Sequence, residues 1–158
     1  MKVLILLMLT SPMLLIKTDG SLVLDNNSFL IYDKVYHKAR LTQWDTGYYD
    51  VGTCEHAIYS DQLWTLEPHP SKEGCYYIMN EKHSQYRIAN YRHSFVVYDG
   101  PHYNDQLFKS VHSGNNDGSY YIYSCSYTND RIAIYGSGDS DVRFFDPMDQ
   151  NIKTNNGG

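Results

Sequence analysis

The sequence is short of basic residues and has no pattern of metal ligands. Its 13 lysines and arginines are outnumbered by 18 aspartates and glutamates, which gives a formal net charge of −5 at pH 7. Because a chain of this charge repels phosphate backbones and anionic lipid, we expect neither nucleic-acid binding nor membrane insertion. The seven histidines lack the short spacing of a metal-binding pair, so we expect no metal site and no cofactor.

Signatures of catalysis are missing as well. Neither the Gly-X-Ser-X-Gly nucleophile elbow nor the Gly-X-X-X-X-Gly-Lys phosphate loop occurs. Cys54 and His56 are too close together along the chain to define a nucleophile and its base. We therefore expect a binding protein rather than an enzyme.

Long apolar runs are confined to the first residues. Lys2 precedes an apolar stretch at 3–16, which Pro12 interrupts and which is shorter than the about 20 residues that a membrane-spanning helix needs. A positive residue followed by a short apolar run is typical of a secretory signal peptide. We predict that residues 1–20 are removed by cleavage after Gly20 and that residues 21–158 form one secreted, extracellular domain.

Cysteine is scarce, with Cys54, Cys75 and Cys125 as the three examples. In an oxidising compartment they allow at most one internal disulfide and leave one thiol over, through which two chains could join as a homodimer. The alternative is that all three stay reduced and buried as small apolar residues. Asn26 begins an Asn-X-Ser triplet, and we predict that it is glycosylated.

The sequence does contain an internal repeat with a period of 44 residues. Segment 74–106 recurs at 118–150 without a gap, and the first third of the predicted mature chain carries a looser copy. The clearest matches are Tyr-Tyr-Ile at 76–78 and 120–122, Arg-Ile-Ala at 87–89 and 131–133, and Asp-Gln at 61–62, 105–106 and 149–150. We predict three repeats, at about 21–70, 71–114 and 115–158.

Within each repeat, short apolar or aromatic segments alternate with polar turns, which predicts strands. The 16 tyrosines also favour strands over helices. Four strands in each repeat make about twelve. Twelve short antiparallel strands in three equivalent blocks can remove their open edges by closing six strands into a barrel and capping it with three hairpins. We therefore predict an all-β protein with the β-trefoil fold.

One segment of the repeat resembles a known family. Asp61-Gln62-Leu63-Trp64 is similar to the Gln-X-Trp signature of ricin B-type lectins, which are β-trefoils. The resemblance implies that the bulky residue of the motif fills the core and that its glutamine holds nearby backbone. The residues expected in these core roles are Trp64, Phe108 and Ile152, and Gln62, Gln106 and Gln150.

The resemblance also implies a sugar site, because in this family the residue before the glutamine contacts sugar. The aspartates at this position are Asp61, Asp105 and Asp149. In the first repeat, a carboxylate of Asp45 or Asp50 and a ring of Tyr48, Tyr49 or Tyr59 could complete the site, since sugar hydroxyls need hydrogen-bond acceptors and sugar rings stack on aromatic faces. The structural alternative is that these aspartates cap turns.

Two functions follow from these expectations. The first is lectin-like binding of glycans by a secreted protein. The second is a salivary or venom-type effector or inhibitor that binds an extracellular host protein, such as a protease, receptor, channel or haemostatic factor. The tyrosine-rich composition suits a protein-binding surface as well as a sugar site.

Overall fold

The computed structural model of the chain describes residues 28–33, 38–55, 59–114, 119–135 and 142–148, and ahead of them the backbone of three short strands. These are β1 (Ile5–Leu9), β2 (Leu15–Ile16) and β3 (Leu22–Val23). Strands β2 and β3 pair with each other in a separate two-stranded sheet. Within the described part of the chain there is no helix long and apolar enough to cross a membrane.

The remaining strands follow the three repeats. The first repeat supplies β4 (Phe29–Asp33), β5 (Arg40–Gln43), β6 (Val51–Cys54) and β7 (Trp64–Pro68). The second supplies β8 (Tyr76–Asn80), β9 (Arg87–Tyr91), β10 (Ser94–Tyr98) and β11 (Leu107–His112). The third supplies β12 (Tyr120–Ser124), β13 (Arg131–Ile134) and β14 (Val142–Phe145). Short 3₁₀ turns at Ser60–Gln62 and Asn104–Gln106 lead into β7 and β11.

Six strands close into an antiparallel barrel. Around the ring, β4 pairs with β7, β7 with β8, β8 with β11, β11 with β12, β12 with β1 and β1 with β4. The other strands of the three repeats pair as the hairpins β5–β6, β9–β10 and β13–β14. Closure removes the open edges of the sheet. The all-β prediction is confirmed, and the architecture is that of a β-trefoil.

The sixth place in the barrel is held by β1 and not by a strand of the third repeat. Ile5 is the Cα partner of both Tyr120 and Asp33. Trp64 of the first repeat has the corresponding partners Phe29 and Asn80. The backbone of Ile5 therefore occupies, beside the third repeat, the barrel position that Trp64 holds in the first repeat.

The core lies inside the barrel and beneath the hairpins, where Trp64 and Phe108 are fully buried. The indole Nε1 of Trp64 donates a hydrogen bond of 3.0 Å to the carbonyl of Leu41, and the ring of Phe108 stacks on Phe144 with centroids 6.0 Å apart. Burial of such large apolar surfaces is the main stabilising contribution to a domain of this size. Ile152 lies outside the described residues.

Two glutamines of the motif, Gln62 and Gln106, are also buried. The side-chain Oε1 of Gln106 accepts a 3.0 Å hydrogen bond from the backbone N–H of Tyr103 and so closes the 3₁₀ turn before β11. Gln62 occupies the same position in the first repeat, and its amide has no partner among the residues that the structure describes. Gln150 lies outside that part of the chain.

A disulfide joins the second and third repeats. Cys75, just before β8, is bonded to Cys125, just after β12, and Cys54 is a half-buried free cysteine. One internal disulfide with one cysteine left over is thus the arrangement that forms, and the alternative of three reduced cysteines is wrong.

Candidate functional site

A cleft of about 540 Å³ opens between the first and second repeats. Its size is within the range of small-ligand sites. The residues that line it are four tyrosines, one amide and one carboxylate, namely Tyr48, Tyr91, Tyr98, Tyr103, Asn104 and Asp105. We call this the tyrosine cleft.

The first repeat contributes Tyr48, which lies in the turn between β5 and β6. Hydrogen bonds within the turn fix its shape, since Trp44 N–H donates to the carbonyl of Asp50 at 2.9 Å and Gly47 N–H donates to the Asp50 carboxylate at 2.8 Å. The carbonyl of Tyr48 then accepts a 3.1 Å hydrogen bond from the N–H of Val97 in β10. The turn is therefore fastened to the second repeat, and Tyr48 is held against its hairpin.

The second repeat contributes Tyr91 and Tyr98 from its hairpin. Tyr91 pairs with Ser94, and since alternate residues of a strand share a face, Tyr91 and Tyr98 project on the same side. The ring of Tyr48 stands between them, stacked on Tyr98 with centroids 5.6 Å apart and edge-on to Tyr91 at 5.9 Å. Three rings from two repeats thus form one aromatic wall.

The tip of this hairpin is a two-residue turn in which Arg92 and His93 both have positive φ, at 50° and 68°. Such a conformation is unfavourable for residues with a Cβ but matches the twist of a tight hairpin. His93 Nδ1 lies 2.7 Å from Oδ2 of the buried Asp130, which also accepts a 2.7 Å hydrogen bond from Asn90 Nδ2. The third repeat thereby holds the hairpin in place.

The carboxylate of the cleft is directed by a tyrosine hydroxyl. Tyr98 Oη donates a 2.7 Å hydrogen bond to Asp105 Oδ1. Burial, and then this hydrogen bond, raise the pKa of Tyr98 far above its ordinary value of 10, so the hydroxyl stays protonated and remains a donor at neutral pH. Within the described part of the chain, Oδ2 of Asp105 makes no hydrogen bond and is available as an acceptor.

Tyr103 and Asn104 also line the cleft. Their place is set by the 3₁₀ turn that Gln106 closes, and the ring of Tyr103 lies 6.2 Å from that of Tyr98. Lys72 Nζ donates a hydrogen bond to Asn104 Oδ1, and Ser126 Oγ donates to the Asn104 carbonyl at 2.6 Å. A buried glutamine of the repeat motif therefore positions two residues of the cleft.

This arrangement offers aromatic faces beside a hydrogen-bond acceptor. Tyrosine faces pack against the C–H surface of a ring, while the carboxylate and the phenol groups bond to hydroxyls. The described residues contain no group of three or more histidines, cysteines, aspartates or glutamates that could hold a metal ion. The groups present are suited to reversible binding of a polyhydroxylated ligand.

Among the residues that the sequence singled out, Asp105 and Tyr48 line the cleft and Tyr49 adjoins it. The ring of Tyr49 lies edge-on to Tyr48 at 5.1 Å and is well exposed. Asp45 and Asp50 instead stabilise the turn, because the Asp45 carboxylate accepts from Thr46 N–H at 2.8 Å and that of Asp50 accepts from Gly47. The turn-capping alternative describes both aspartates.

Asp61 and Tyr59 do not line the cleft. The carboxylate of Asp61 lies 3.7 Å from Lys82 Nζ, and its backbone carbonyl accepts from Asn80 Nδ2 at 2.8 Å. Tyr59 is exposed just before the first 3₁₀ turn. Asp149 and the glycosylation candidate Asn26 lie outside the described residues.

Sequence reasoning missed Tyr91, Tyr98, Tyr103 and Asn104. One signal could have found Tyr103 and Asn104, since they immediately precede Asp105 in the motif. Tyr91 and Tyr98 are ordinary strand residues in the sequence, and only the hairpin register places them together.

Neither a protein-family model nor a curated protein sequence matches the chain. Several solved structures do. A mosquitocidal holotoxin superposes with a TM-score of 0.60 at 15% identity, over 77% of this chain and 17% of the toxin chain. The BEL β-trefoil gives 0.56 at 17% identity, over 90% of this chain and 83% of its own. The designed threefold-symmetric protein ThreeFoil gives 0.51 at 16% identity, over 67% and 78%.

The chain spans less than a fifth of the holotoxin and most of the two smaller structures. At these identities the similarity concerns the fold. The predicted β-trefoil fold is confirmed by the pairing of its strands and by these neighbours.

Proposed function

We propose that the protein is a secreted, non-enzymatic carbohydrate-binding protein of the lectin type, and that the tyrosine cleft holds the sugar. The observation that carries this proposal is the hydrogen bond from Tyr98 to Asp105, made beside the stacked rings of Tyr48 and Tyr98. It leaves one carboxylate oxygen available beside ring faces, which is the combination that a sugar requires. The resemblance to ricin B-type lectins at the same aspartate supports the proposal.

The binding mode follows from the two kinds of group. The apolar face of a sugar ring packs against the wall formed by Tyr48, Tyr91 and Tyr98, while a hydroxyl on its edge donates to Asp105 Oδ2. The hydroxyl of Tyr98 keeps the carboxylate in one orientation, so the ligand need not order it on binding. A hydrogen bond to a charged acceptor contributes about 1.5–3 kcal/mol.

The test is a glycan array at physiological salt with the unaltered protein, followed by titration of the best sugar into Asp105→Ala. We expect the dissociation constant to rise at least about tenfold, which corresponds to about 1.4 kcal/mol. Asp61→Ala is the matched control, because Asp61 holds the same repeat position without lining the cleft. Equal losses in the two variants, or no sugar bound by the unaltered protein, would contradict the proposal.

A second candidate is binding to an extracellular host protein. It is favoured by the exposure of the tyrosines around the cleft, where Tyr49 is 69%, Tyr103 51% and Tyr91 41% exposed. Exposed tyrosines are enriched at protein-binding surfaces. Capture of one defined plasma or tissue protein, lost in Tyr49→Ala, together with an empty glycan array, would support this candidate over the first.

A further inference from the structure

The tyrosine cleft contains more aromatic surface than one sugar ring can use. The planes of Tyr48 and Tyr91 differ in orientation by 85°. Those of Tyr98 and Tyr103 differ by 51°. Because the apolar face of a sugar is nearly flat, it cannot stack on rings that meet at such angles, and some of these rings are left for another kind of contact. A rounded cation can pack on aromatic faces at any of these angles, since each face is electron-rich.

The charge of the cleft favours the same kind of ligand. Asp105 is the one charged side chain among the described residues that line it, and its Oδ2 is available as an acceptor. Aromatic faces beside a carboxylate suit organic ammonium ions. We propose that the ligand of the tyrosine cleft carries a positively charged ammonium group, as an amino sugar with a free or methylated amine does. The inference rests on the proposed function for its site and adds the charge of the ligand.

Cations of the chain already contact two residues of the cleft. The guanidinium carbon of Arg92 lies 5.3 Å from the centroid of the Tyr91 ring. Lys72 Nζ donates a hydrogen bond to Asn104 Oδ1. The cation–π contacts of the described residues do not involve the other three tyrosines of the cleft. These three rings and the carboxylate therefore have no cation from the described part of the chain, and the ammonium group of a ligand can contact them.

The charges of Asp105 and Arg92 both act on Tyr48. Burial, which is the largest cause, and three neighbours that include Asp105 raise the pKa of this tyrosine, whereas the Arg92 guanidinium lowers it. The phenol stays protonated at neutral pH, so its ring is an uncharged face. A ligand beside Tyr48 is exposed to the same two charges. A positive ligand is therefore attracted by Asp105 and repelled by Arg92, while a neutral sugar responds little to either.

The experiment compares two oligosaccharides of equal length and linkage, a glucosamine oligomer and its fully N-acetylated counterpart, by isothermal titration into the unaltered protein. At about pH 6.5 and fixed ionic strength, the first bears ammonium groups where the second has neutral amides. We expect the glucosamine oligomer to bind at least about tenfold more tightly. Tetramethylammonium chloride should displace it, and sodium chloride at the same concentration should displace much less.

Asp105→Asn removes the charge and keeps the shape of the side chain. Its amide oxygen can accept from Tyr98 and direct the NH₂ group to the ligand, where a sugar hydroxyl can accept a hydrogen bond and an ammonium group cannot. We expect this variant to lose at least about tenfold in affinity for the glucosamine oligomer, and its control Asp61→Asn to lose none. Arg92→Asn tolerates the positive φ of the hairpin tip and should raise that affinity by about two- to threefold.

The comparison of ligands uses the unaltered protein and applies even if a variant does not fold. Equal or tighter binding of the N-acetylated oligomer would overturn the inference and leave the proposed function standing, as would unchanged affinity in Asp105→Asn or weaker binding in Arg92→Asn. If no sugar binds but tetramethylammonium titrated alone does, the proposed function is wrong and the ligand is an ammonium compound other than a sugar, such as a choline group. If neither binds, both proposals are wrong.

Discussion

Asp61 and Asp105 hold the same position in consecutive repeats, yet their surroundings differ. Asp105 is bonded to a tyrosine hydroxyl inside a cleft, whereas the half-buried carboxylate of Asp61 lies 3.7 Å from Lys82 Nζ. The hairpin registers give the reason, because Tyr98 pairs with Arg87 as Cys54 pairs with Arg40. The first repeat has a thiol where the second has a phenol, so Asp61 has no hydroxyl at that position to direct it.

This contrast separates the framework from the binding residues. Both repeats keep the buried glutamine, the 3₁₀ turn and the large core residue after it. The difference lies in one hairpin residue and in the turn that a neighbouring repeat lays against it. The residues that the repeats share therefore form the barrel, whereas the site depends on residues that differ from one repeat to the next.

The largest expected effect is on the shared framework. Trp64→Ala should lower the free energy of unfolding by about 3–5 kcal/mol, because it removes a fully buried indole and leaves a cavity. Phe108→Ala should give a loss in the same range. Urea unfolding of both variants checks this expectation, and a loss below about 1 kcal/mol at either position would show that the two repeats do not share one core.

The disulfide should come next in size. It joins the second and third repeats but not the first, and its removal in Cys75→Ala/Cys125→Ala should cost about 2–4 kcal/mol of stability. Calorimetry of the double variant gives the value. Cys54→Ala is the control and should change little, so a comparable loss there would indicate that the third cysteine also has a structural partner.

Tyr98→Cys converts the second repeat to the pattern of the first. We expect sugar affinity to fall by roughly tenfold, since the carboxylate of Asp105 loses the donor that orients it and the wall loses one ring. Isothermal titration with the best sugar from the array measures the change. Retained affinity would mean that sugar binding does not require the hydrogen bond from Tyr98 to Asp105.

Alkaline pH should reveal the same hydrogen bond. Because the pKa of Tyr98 is raised in the folded protein, this group adds stability below pH 10, and the contribution is lost as the pH rises further through the folded-state value. Urea unfolding between pH 9 and pH 11 should therefore show a shallower decline for Tyr98→Phe than for the unaltered protein, by an amount on the order of 1 kcal/mol. If stability declined equally in the two proteins, the loss of stability at alkaline pH would come from a group other than Tyr98.

The smallest effect is expected at the ion pair between Asp61 of the first repeat and Lys82 of the second. Lys82 Nζ lies 3.7 Å from the Asp61 carboxylate and the lysine is 45% exposed, so Lys82→Ala should cost less than about 1 kcal/mol. Its sugar affinity should equal that of the unaltered protein. A clear loss of binding in Lys82→Ala would mean that the Asp61–Lys82 pair contributes to sugar binding although Asp61 does not line the cleft.

The sequence predicts the framework well because the framework repeats. The period of 44 residues, the alternation of short strands with turns and the Gln-X-Trp segment can all be read along the chain, and they are sufficient to predict the barrel and the burial of Trp64 and Phe108. The cleft depends on contacts between repeats, such as the hydrogen bond from Val97 to the Tyr48 carbonyl, and no local pattern encodes them. Asp105 could be selected from its motif, but its advantage over Asp61 required the hairpin register.

The turn that carries Tyr48 has a consequence for how such a protein can diverge. One ring of the aromatic wall, that of Tyr48, comes from the preceding repeat, so duplication of a single repeat could not copy the cleft. A change in the length of residues 44–50 would alter recognition without changing the hairpin that supplies Tyr91 and Tyr98. Insertions or deletions in this one turn could therefore change which ligand binds, while the barrel keeps its structure.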